Sequence, residues 1–228
     1  MTPDAWRARA PRFLVRYLWF FETAIREQAA RFAAALAPGS LVLDAGAGEG
    51  QYREHFSHCR YIGADLAIGD TNWNYHGLDV LCDLSRLPFA DASFDACINI
   101  VTLEHVRQPD AVLCELSRTM KRGGRLFLVV PQDWEVHQAP HDYFRYTRYG
   151  VRHLLERAGF DDIHLEPGGG YFRLMGRRML NGIRFFKGFW LLPAALLLAP
   201  AGLLFPLLDR MDKEKNFTLG YLCWARKR

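Results

Sequence analysis

Short apolar runs, each closed by glycine, proline or an acid, alternate with longer stretches of helical spacing from residue 38 to about residue 167. The runs cover 42–45, 61–65, 79–84, 93–100, 127–131 and 162–165, with one more at 218–224. Continuous apolarity over so few residues reads as strands buried on both faces, and strands alternating with helices predict a mostly parallel sheet. Ahead of them, apolar residues at helical spacing from Tyr17 to Leu36 predict a helix, which Pro38-Gly39-Ser40 ends.

The run Val42-Leu43-Asp44-Ala45-Gly46-Ala47-Gly48-Glu49-Gly50 ends a strand in an acid and three glycines at alternate positions. Glycine tolerates positive φ and carries no Cβ, so backbone here can turn sharply and approach a ligand. A dinucleotide fingerprint needs Gly-x-Gly-x-x-Gly. The third such position is Gln51, so the third glycine comes one residue early.

The pattern Asp-x-Gly-x-Gly-x-Gly from Asp44 resembles motif I of the class I S-adenosylmethionine-dependent methyltransferases. The rest of the resemblance follows in order over roughly residues 38–165. Tyr61-Ile62-Gly63-Ala64-Asp65 ends in an acid placed for the ribose hydroxyls, and Asp83-Leu84 stands at the adenine position. Later come Leu103-Glu104-His105-Val106 and Lys121-Arg122-Gly123-Gly124 before the fifth strand. The resemblance implies a Rossmann-like α/β sandwich: seven strands, mostly parallel, helices on both faces, and an antiparallel last strand. It implies S-adenosyl-L-methionine as cofactor, bound by Asp44, Gly46, Gly48, Gly50, Asp65, Leu66, Asp83, Leu84 and Asn99. The expected organisation is an N-terminal helical cap (1–37), a cofactor-binding core (38–167), an insertion (168–215) and the last strand (216–228).

The 228 residues, half of them hydrophobic, suffice for one such domain with an insertion. The five cysteines form no Cys-x-x-Cys pair and three lie in apolar patterns, so the expected state is reduced and cytoplasmic, without disulfides. No signal peptide is evident. A net charge of +4 without a recognition-helix or aromatic RNA-binding signature gives no expectation of nucleic acid.

Two stretches lie outside the common pattern. Residues 131–147 follow the fifth strand, where ligands of open α/β sheets bind, and concentrate His137, His141, Asp142, Tyr143 and Arg145 among aromatics. They resemble the His-x-x-Pro-x-Asp-Tyr-x-Arg-Tyr-Thr loop of a bacterial branch of these methyltransferases, many associated with polysaccharide and envelope gene sets. Methyl transfer from a sulfonium needs alignment, and a base only where the nucleophile must lose a proton. His137 and His105 are the candidate bases; Arg145 is a candidate for an acceptor anion or for pairing Asp142, with Asp142 and Tyr143 beside the acceptor. His137, His141 and Asp142 carry metal-ligand chemistry, but nothing completes that set, so no metal is expected.

From Pro167 to Leu208 there is no acid; Arg173, Arg177, Arg178, Arg184 and Lys187 come first, then an uncharged run from Gly188 to Leu208. That run is long enough to span a bilayer. A single crossing would separate the sixth and seventh strands, and Pro193, Pro200 and Pro206 interrupt helical bonding. The expectation is therefore a monotopic segment on the inner face of the membrane; a hydrophobic lid or a homodimer contact is the alternative. The functional expectation is methyl transfer to oxygen of a small or lipid- or glycan-linked acceptor. A prenylated quinone precursor is the alternative acceptor, and a non-catalytic cofactor-binding scaffold the alternative class.

Overall fold

The computed structural model describes residues 11–69 and 73–228, so the first ten residues of the expected N-terminal cap lie outside the described residues. The chain divides into two compact units. One comprises Ile25–Glu166 and Gly220–Arg228; the other comprises Met1–Ala24 and Pro167–Leu219.

In the first unit, seven strands form one sheet in the order β3-β2-β1-β4-β5-β7-β6. They are β1 (Leu41–Ala45), β2 (Arg60–Asp65), β3 (Val80–Leu81), β4 (Phe94–Ile100), β5 (Met120–Pro131), β6 (Phe160–Pro167) and β7 (Gly220–Lys227). β1 pairs parallel with both β2 and β4, and β7 pairs antiparallel with β5. This is the Rossmann-like arrangement with an antiparallel last strand. The strand order reverses between β1 and β4, which opens a crevice at their carboxyl ends.

The strands hold together as their composition demands: Leu43, Ala45, Cys97, Leu126 and Leu128 are almost wholly buried. Helix Pro109–Thr119 starts on a proline, whose missing N–H costs nothing there, and buries Val112, Leu113 and Leu116. Helix Arg148–Arg157 is capped by Thr147, whose hydroxyl accepts from Gly150 N at 3.1 Å. The expected glycine turn before β5 is absorbed into the strand. Pairing jumps from Phe94↔Met120 to Ala96↔Arg125, so Lys121 to Gly124 loop out around Gly123 at φ 73°.

An N-terminal helix Arg12–Leu18 is followed by helix Phe20–Ala34, which buries Ile25, Ala29, Phe32 and Ala33. Phe32 stacks on Phe127 of β5 at 5.7 Å, so the second half of this helix packs on the sheet.

The second unit is built on a helical hairpin. For convenience its arms are called αA (Tyr171–Gly182) and αB (Leu191–Leu204). They meet at glycines: a Cβ on Gly176 would lie 2.7 Å from the Gly202 carbonyl oxygen, so only hydrogen leaves room for the crossing. The base of the hairpin is fastened by charge. Asp209 accepts from Gly170 N and Arg173 N, and Asp212 accepts from Tyr171 N at 2.7 Å, so both carboxylates sit on the amino end of αA, where the helix dipole favours them. Arg177 grips Glu22 through two bonds of 2.8 and 3.0 Å.

The rest of the hairpin is apolar and bare. Phe185, Phe189, Leu192, Leu196, Leu197 and Leu207 are each more than three-fifths exposed. The stretch Gly188–Met211 is long and apolar enough to cross a membrane by length and composition, yet only 6% of its most apolar window is buried. Within it, αB supplies 14 residues and 3-10 turns on either side supply the rest. The insertion leaves at β6 and returns into β7, adjacent strands of one sheet.

Substituting Asp209→Ala strips the αA amino end of its cap and is expected to destabilise by about 1–2 kcal/mol. Asp209→Asn should recover most of that. Hydrogen exchange of residues 170–182 reports it; unchanged exchange in Asp209→Ala would show the cap to be idle.

Candidate functional site

The glycine loop at the end of β1 is shaped by what surrounds it. Gly46 has φ 90°, and a Cβ there would stand 2.3 Å from the Thr102 side chain. Gly48 and Gly50 also have positive φ, and a Cβ on Gly48 would press on the Trp73 ring at 3.2 Å. These are positions where backbone alone fits, the cradle expected around a closely held ligand.

Asp65, at the end of β2, reaches back to this loop: Oδ2 accepts from Gly48 N at 2.9 Å and Oδ1 from Ala67 N at 2.8 Å. Each oxygen keeps a second lone pair, which suits a carboxylate meant to accept from a pair of ribose hydroxyls. Leu66, next to it, is 42% exposed. The residues present therefore fit an adenosyl cofactor at this edge.

The other expected cofactor residues divide. Asp44 is buried and accepts from the Tyr61 hydroxyl. Burial pushes its carboxyl up to about 7, against the Tyr61 hydrogen bond and with the Asp65 charge adding to the rise. It is thus a support beneath the loop. Asp83 is exposed and folds an Asx turn, accepting from Ser85 N at 2.8 Å, while the Leu84 side chain lies in the core. Asn99 is fully buried and gives its amide to the Ala45 carbonyl at 2.7 Å, tying β4 to the end of β1. Tyr61 and Trp73 were missed by sequence reasoning, since nothing in their spacing announces a contact with the glycine loop.

The end of β4 carries the most concentrated chemistry. Val101 has φ 47°, a left-handed conformation that a β-branched residue resists, and its N–H still holds Val129 O at 2.9 Å. This kink sets Thr102 against Gly46 and turns the short helix Leu103–His105 inward. Glu104 is fully buried, and among the described residues neither carboxylate oxygen has a hydrogen-bond partner. Burial pushes its carboxyl up to about 8, although its own backbone N–H and the Arg145 charge pull it down.

The 131–147 loop folds onto this helix. Tyr143 N donates to Glu104 O at 2.9 Å, Tyr146 OH to Leu103 O at 2.8 Å, and Tyr146 N to Pro131 O at 2.8 Å. The result brings His137 against His105, with their Nε2 atoms 3.1 Å apart and the rings nearly perpendicular. His105 Nδ1 faces the His141 carbonyl at 2.5 Å, and His137 Nδ1 faces the Glu135 carbonyl at 3.0 Å. A carbonyl only accepts, so both Nδ1 atoms carry hydrogen, and both Nε2 atoms present lone pairs in the neutral rings. Burial holds the His105 imidazole below its ordinary pKa, opposed by its bond to the His141 carbonyl. Glu104 Oε1 stands 3.7 Å from His105 Nε2. The two candidate bases, His105 and His137, thus lie against each other, with Glu104 as a partner the sequence did not assign.

Of the two expectations for Arg145, the pairing with Asp142 is the one the geometry shows. Arg145 donates Nη1 to Asp142 Oδ1 at 2.6 Å and Nη2 to Oδ2 at 2.8 Å, then reaches the carbonyls of Trp134, Phe144 and Glu135. All five N–H groups are used inside the loop. The Asp142 side chain is 2% exposed and also accepts from His137 N at 2.9 Å. The Arg145 hydrogen bonds hold its carboxyl down to about 2. Of the expected acceptor residues, Tyr143 remains 37% exposed, its ring 5.8 Å from the Arg107 guanidinium and its hydroxyl accepting from Arg107 Nε at 3.2 Å.

A cavity of about 810 Å³ beside β3 is lined by Ala67, Trp73, Tyr75, His76, Asp79 and Leu81. Trp73 and Ala67 tie it to the glycine loop and Asp65.

With this geometry established, the chain was compared with known proteins. Residues 43–128 match the family model described as a methyltransferase domain. The tRNA (carboxymethyluridine(34)-5-O)-methyltransferase of Xenopus tropicalis is 33% identical over 112 residues, 47% of this chain and 17% of that protein. The demethylmenaquinone methyltransferase of Thermobifida fusca is 37% identical over 101 residues, 40% of this chain and 43% of that protein. The chain therefore spans less than half the length of these curated relatives. A S-adenosylmethionine-dependent methyltransferase from Archaeoglobus fulgidus superposes with a TM-score of 0.60 at 14% identity, covering 94% of this chain and 99% of that one. The Haemonchus contortus phosphoethanolamine N-methyltransferase 2, solved with S-adenosyl-L-methionine, gives 0.59 at 18% identity, covering 90% of this chain and 52% of that one.

Two outcomes test this site. Asp44 keeps a proton in the fold between its ordinary 3.8 and about 7. The stabilisation from that proton is present below about pH 4 and lost as pH rises through about 7. The melting temperature of ligand-free wild type should thus fall relative to Asp44→Asn from about pH 5 to about pH 8; parallel curves would contradict the burial argument. Arg145→Ala leaves Asp142 buried and unpaired, at a cost of about 3 kcal/mol. Faster hydrogen exchange across 131–147 is expected, with little recovery in Arg145→Lys, since one ammonium cannot fill five contacts. Unchanged exchange would show that the clamp does not hold the loop.

Proposed function

We propose that this chain, whose residues 43–128 match a methyltransferase-domain model and whose fold is shared with an S-adenosylmethionine-dependent methyltransferase, transfers methyl from S-adenosylmethionine to an oxygen of an acceptor held at a membrane surface. The observation that carries the reading is the paired imidazoles of His105 and His137, set beside buried Glu104 at the end of β4. When bound, the cofactor supplies a methyl group already activated on a sulfonium. The close-fitting turn at Gly46, Gly48 and Gly50 offers it backbone, and Asp65 holds its ribose. The Nε2 lone pairs of His105 and His137 meet at the end of β4 beside the buried Glu104, and they accept the hydrogen of an acceptor hydroxyl. The Arg145–Asp142 clamp fixes the loop so that His137 cannot swing away.

The membrane part of the reading rests on the hairpin. The outer face of αB exposes leucines in a row, Arg184 and Lys187 lie before its amino end, and Arg210 follows its carboxyl end. A greasy helix with cations at both ends fits the interface of an anionic leaflet, with its leucines in the acyl region and its cations at the headgroups. A lipid-linked glycan is the acceptor class favoured. The hairpin, together with the similarity to a demethylmenaquinone methyltransferase, also supports a prenylated quinone precursor as a second reading.

The test is incubation of purified protein with methyl-labelled S-adenosylmethionine and a membrane extract, followed by separation of lipid, water-soluble and protein fractions. Label in the lipid fraction is expected, released by mild acid from a glycan headgroup for the first reading and retained in a quinone for the second. Asp65→Ala should weaken cofactor binding tenfold or more and lose the signal. Co-flotation with anionic vesicles should be abolished by Leu196→Asp with Leu197→Asp. Label confined to the water-soluble fraction, with a dimer in solution, would overturn the membrane reading; cofactor binding without label in any fraction would favour a scaffold.

A further inference from the structure

The end of β4 gathers three ligand atoms that lack a counterpart. Glu104 Oε1, His105 Nε2 and His137 Nε2 come from the Leu103–His105 helix and the 131–147 loop, all within 4.8 Å of one another. Each imidazole spends its Nδ1 hydrogen on a backbone carbonyl, which fixes the ring and aims the Nε2 lone pair inward. Asp142, 3.5 Å from His137 Nδ1, adds a carboxylate behind that ring. This is how imidazoles are arranged where they bind a cation. Two lone pairs 3.1 Å apart repel unless something positive lies between them. One proton would join the two nitrogens yet leave both oxygens of the buried Glu104 carboxylate unpartnered. A divalent cation meets all three.

We propose that Glu104, His105 and His137 form a binding site for a zinc-type divalent metal with one coordination position open toward the acceptor. The spacing supports four-coordination: bonds of about 2.0–2.1 Å at tetrahedral angles separate neighbouring ligands by about 3.3 Å. The two measured separations, 3.1 and 3.7 Å, lie on either side of that value. Two imidazoles and a carboxylate are a borderline donor set that suits zinc over magnesium or calcium, which prefer oxygen ligands. The set is also different from the His137, His141 and Asp142 combination that the sequence brought to mind. His141 Nδ1 instead contacts the Tyr143 hydroxyl at 3.0 Å, and Asp142 is committed to Arg145.

The metal's role rests on the methyltransferase reading, although its binding does not. With the metal bound the two Nε2 lone pairs are spent on it, so the acceptor hydroxyl meets the metal in place of the rings, becomes a better proton donor, and gives its proton to water. The oxygen then forms the O–CH₃ bond as the methyl–sulfur bond breaks, the electron pair staying on sulfur.

The site is tested on untagged full-length protein purified without chelator. Bound metal is measured by mass spectrometry after equilibration with zinc, and the visible spectrum is recorded after replacement by cobalt(II). About one metal per chain is expected, with the intense visible bands of four-coordinate cobalt. His137→Ala and Glu104→Gln should each weaken zinc at least a hundredfold while keeping the far-ultraviolet circular dichroism and the affinity for S-adenosylhomocysteine. Should Glu104→Gln not fold, His137→Ala on the partly exposed loop decides alone. Absence of stoichiometric metal in the wild type, or binding that His137→Ala retains in full, overturns the proposal. Affinity for S-adenosylhomocysteine is read separately, so loss of the metal site and loss of the methyltransferase reading remain distinguishable.

Discussion

At the carboxyl end of β1 there is room for backbone and none for side chains, and the rest of the site follows from that constraint. Gly46 turns at positive φ because Thr102 occupies the place of its Cβ. Thr102 is there because Val101 is held in a left-handed conformation while its N–H stays on the sheet. The same kink carries Glu104 and His105 inward just past the strand. The cofactor cradle on β1 and the polar cluster on β4 are thus two sides of one contact, placed where the strand order reverses and a crevice must open. Strain of this kind persists only where the surroundings over-determine it, and here the sheet on one side and the 131–147 loop on the other do so.

Much of the fold was legible because it rests on local signals. Apolar runs ending in acids gave the strands, and the glycine spacing at 46, 48 and 50 separated this loop from a dinucleotide fingerprint. Asp65 was legible because its distance from the loop is set by one strand–turn–strand unit. What spacing could not give was which polar groups use one another up. Arg145 read either as an acceptor group or as a partner of Asp142, and the fold takes the second: three residues apart in a tight loop they close on each other, and the guanidinium finishes its donors on neighbouring carbonyls. Asn99, expected at the cofactor, also ties β4 to Ala45. Glu104 carries no role in the sequence; only the fold shows it buried, with neither carboxylate oxygen partnered among the described residues.

The second unit reverses the usual logic of a soluble protein. Carboxylates Asp209 and Asp212 and the Arg177–Glu22 pair fasten the base of the hairpin, and its leucines face outward. The glycine crossing at Gly176 and Gly202 explains how two such helices stay together without burying their outer faces. In the membrane reading proposed above, lipid meets those leucines.

The central claim is that the β1 glycine loop holds S-adenosylmethionine with its reactive end toward His105 and His137. A crystal structure with S-adenosylhomocysteine tests it most directly. The expected result is ribose hydroxyls on Asp65, the amino-acid part along residues 46–50, and the sulfur turned toward the paired imidazoles. Adenosine seated elsewhere, or a sulfur facing away from the end of β4, would contradict it.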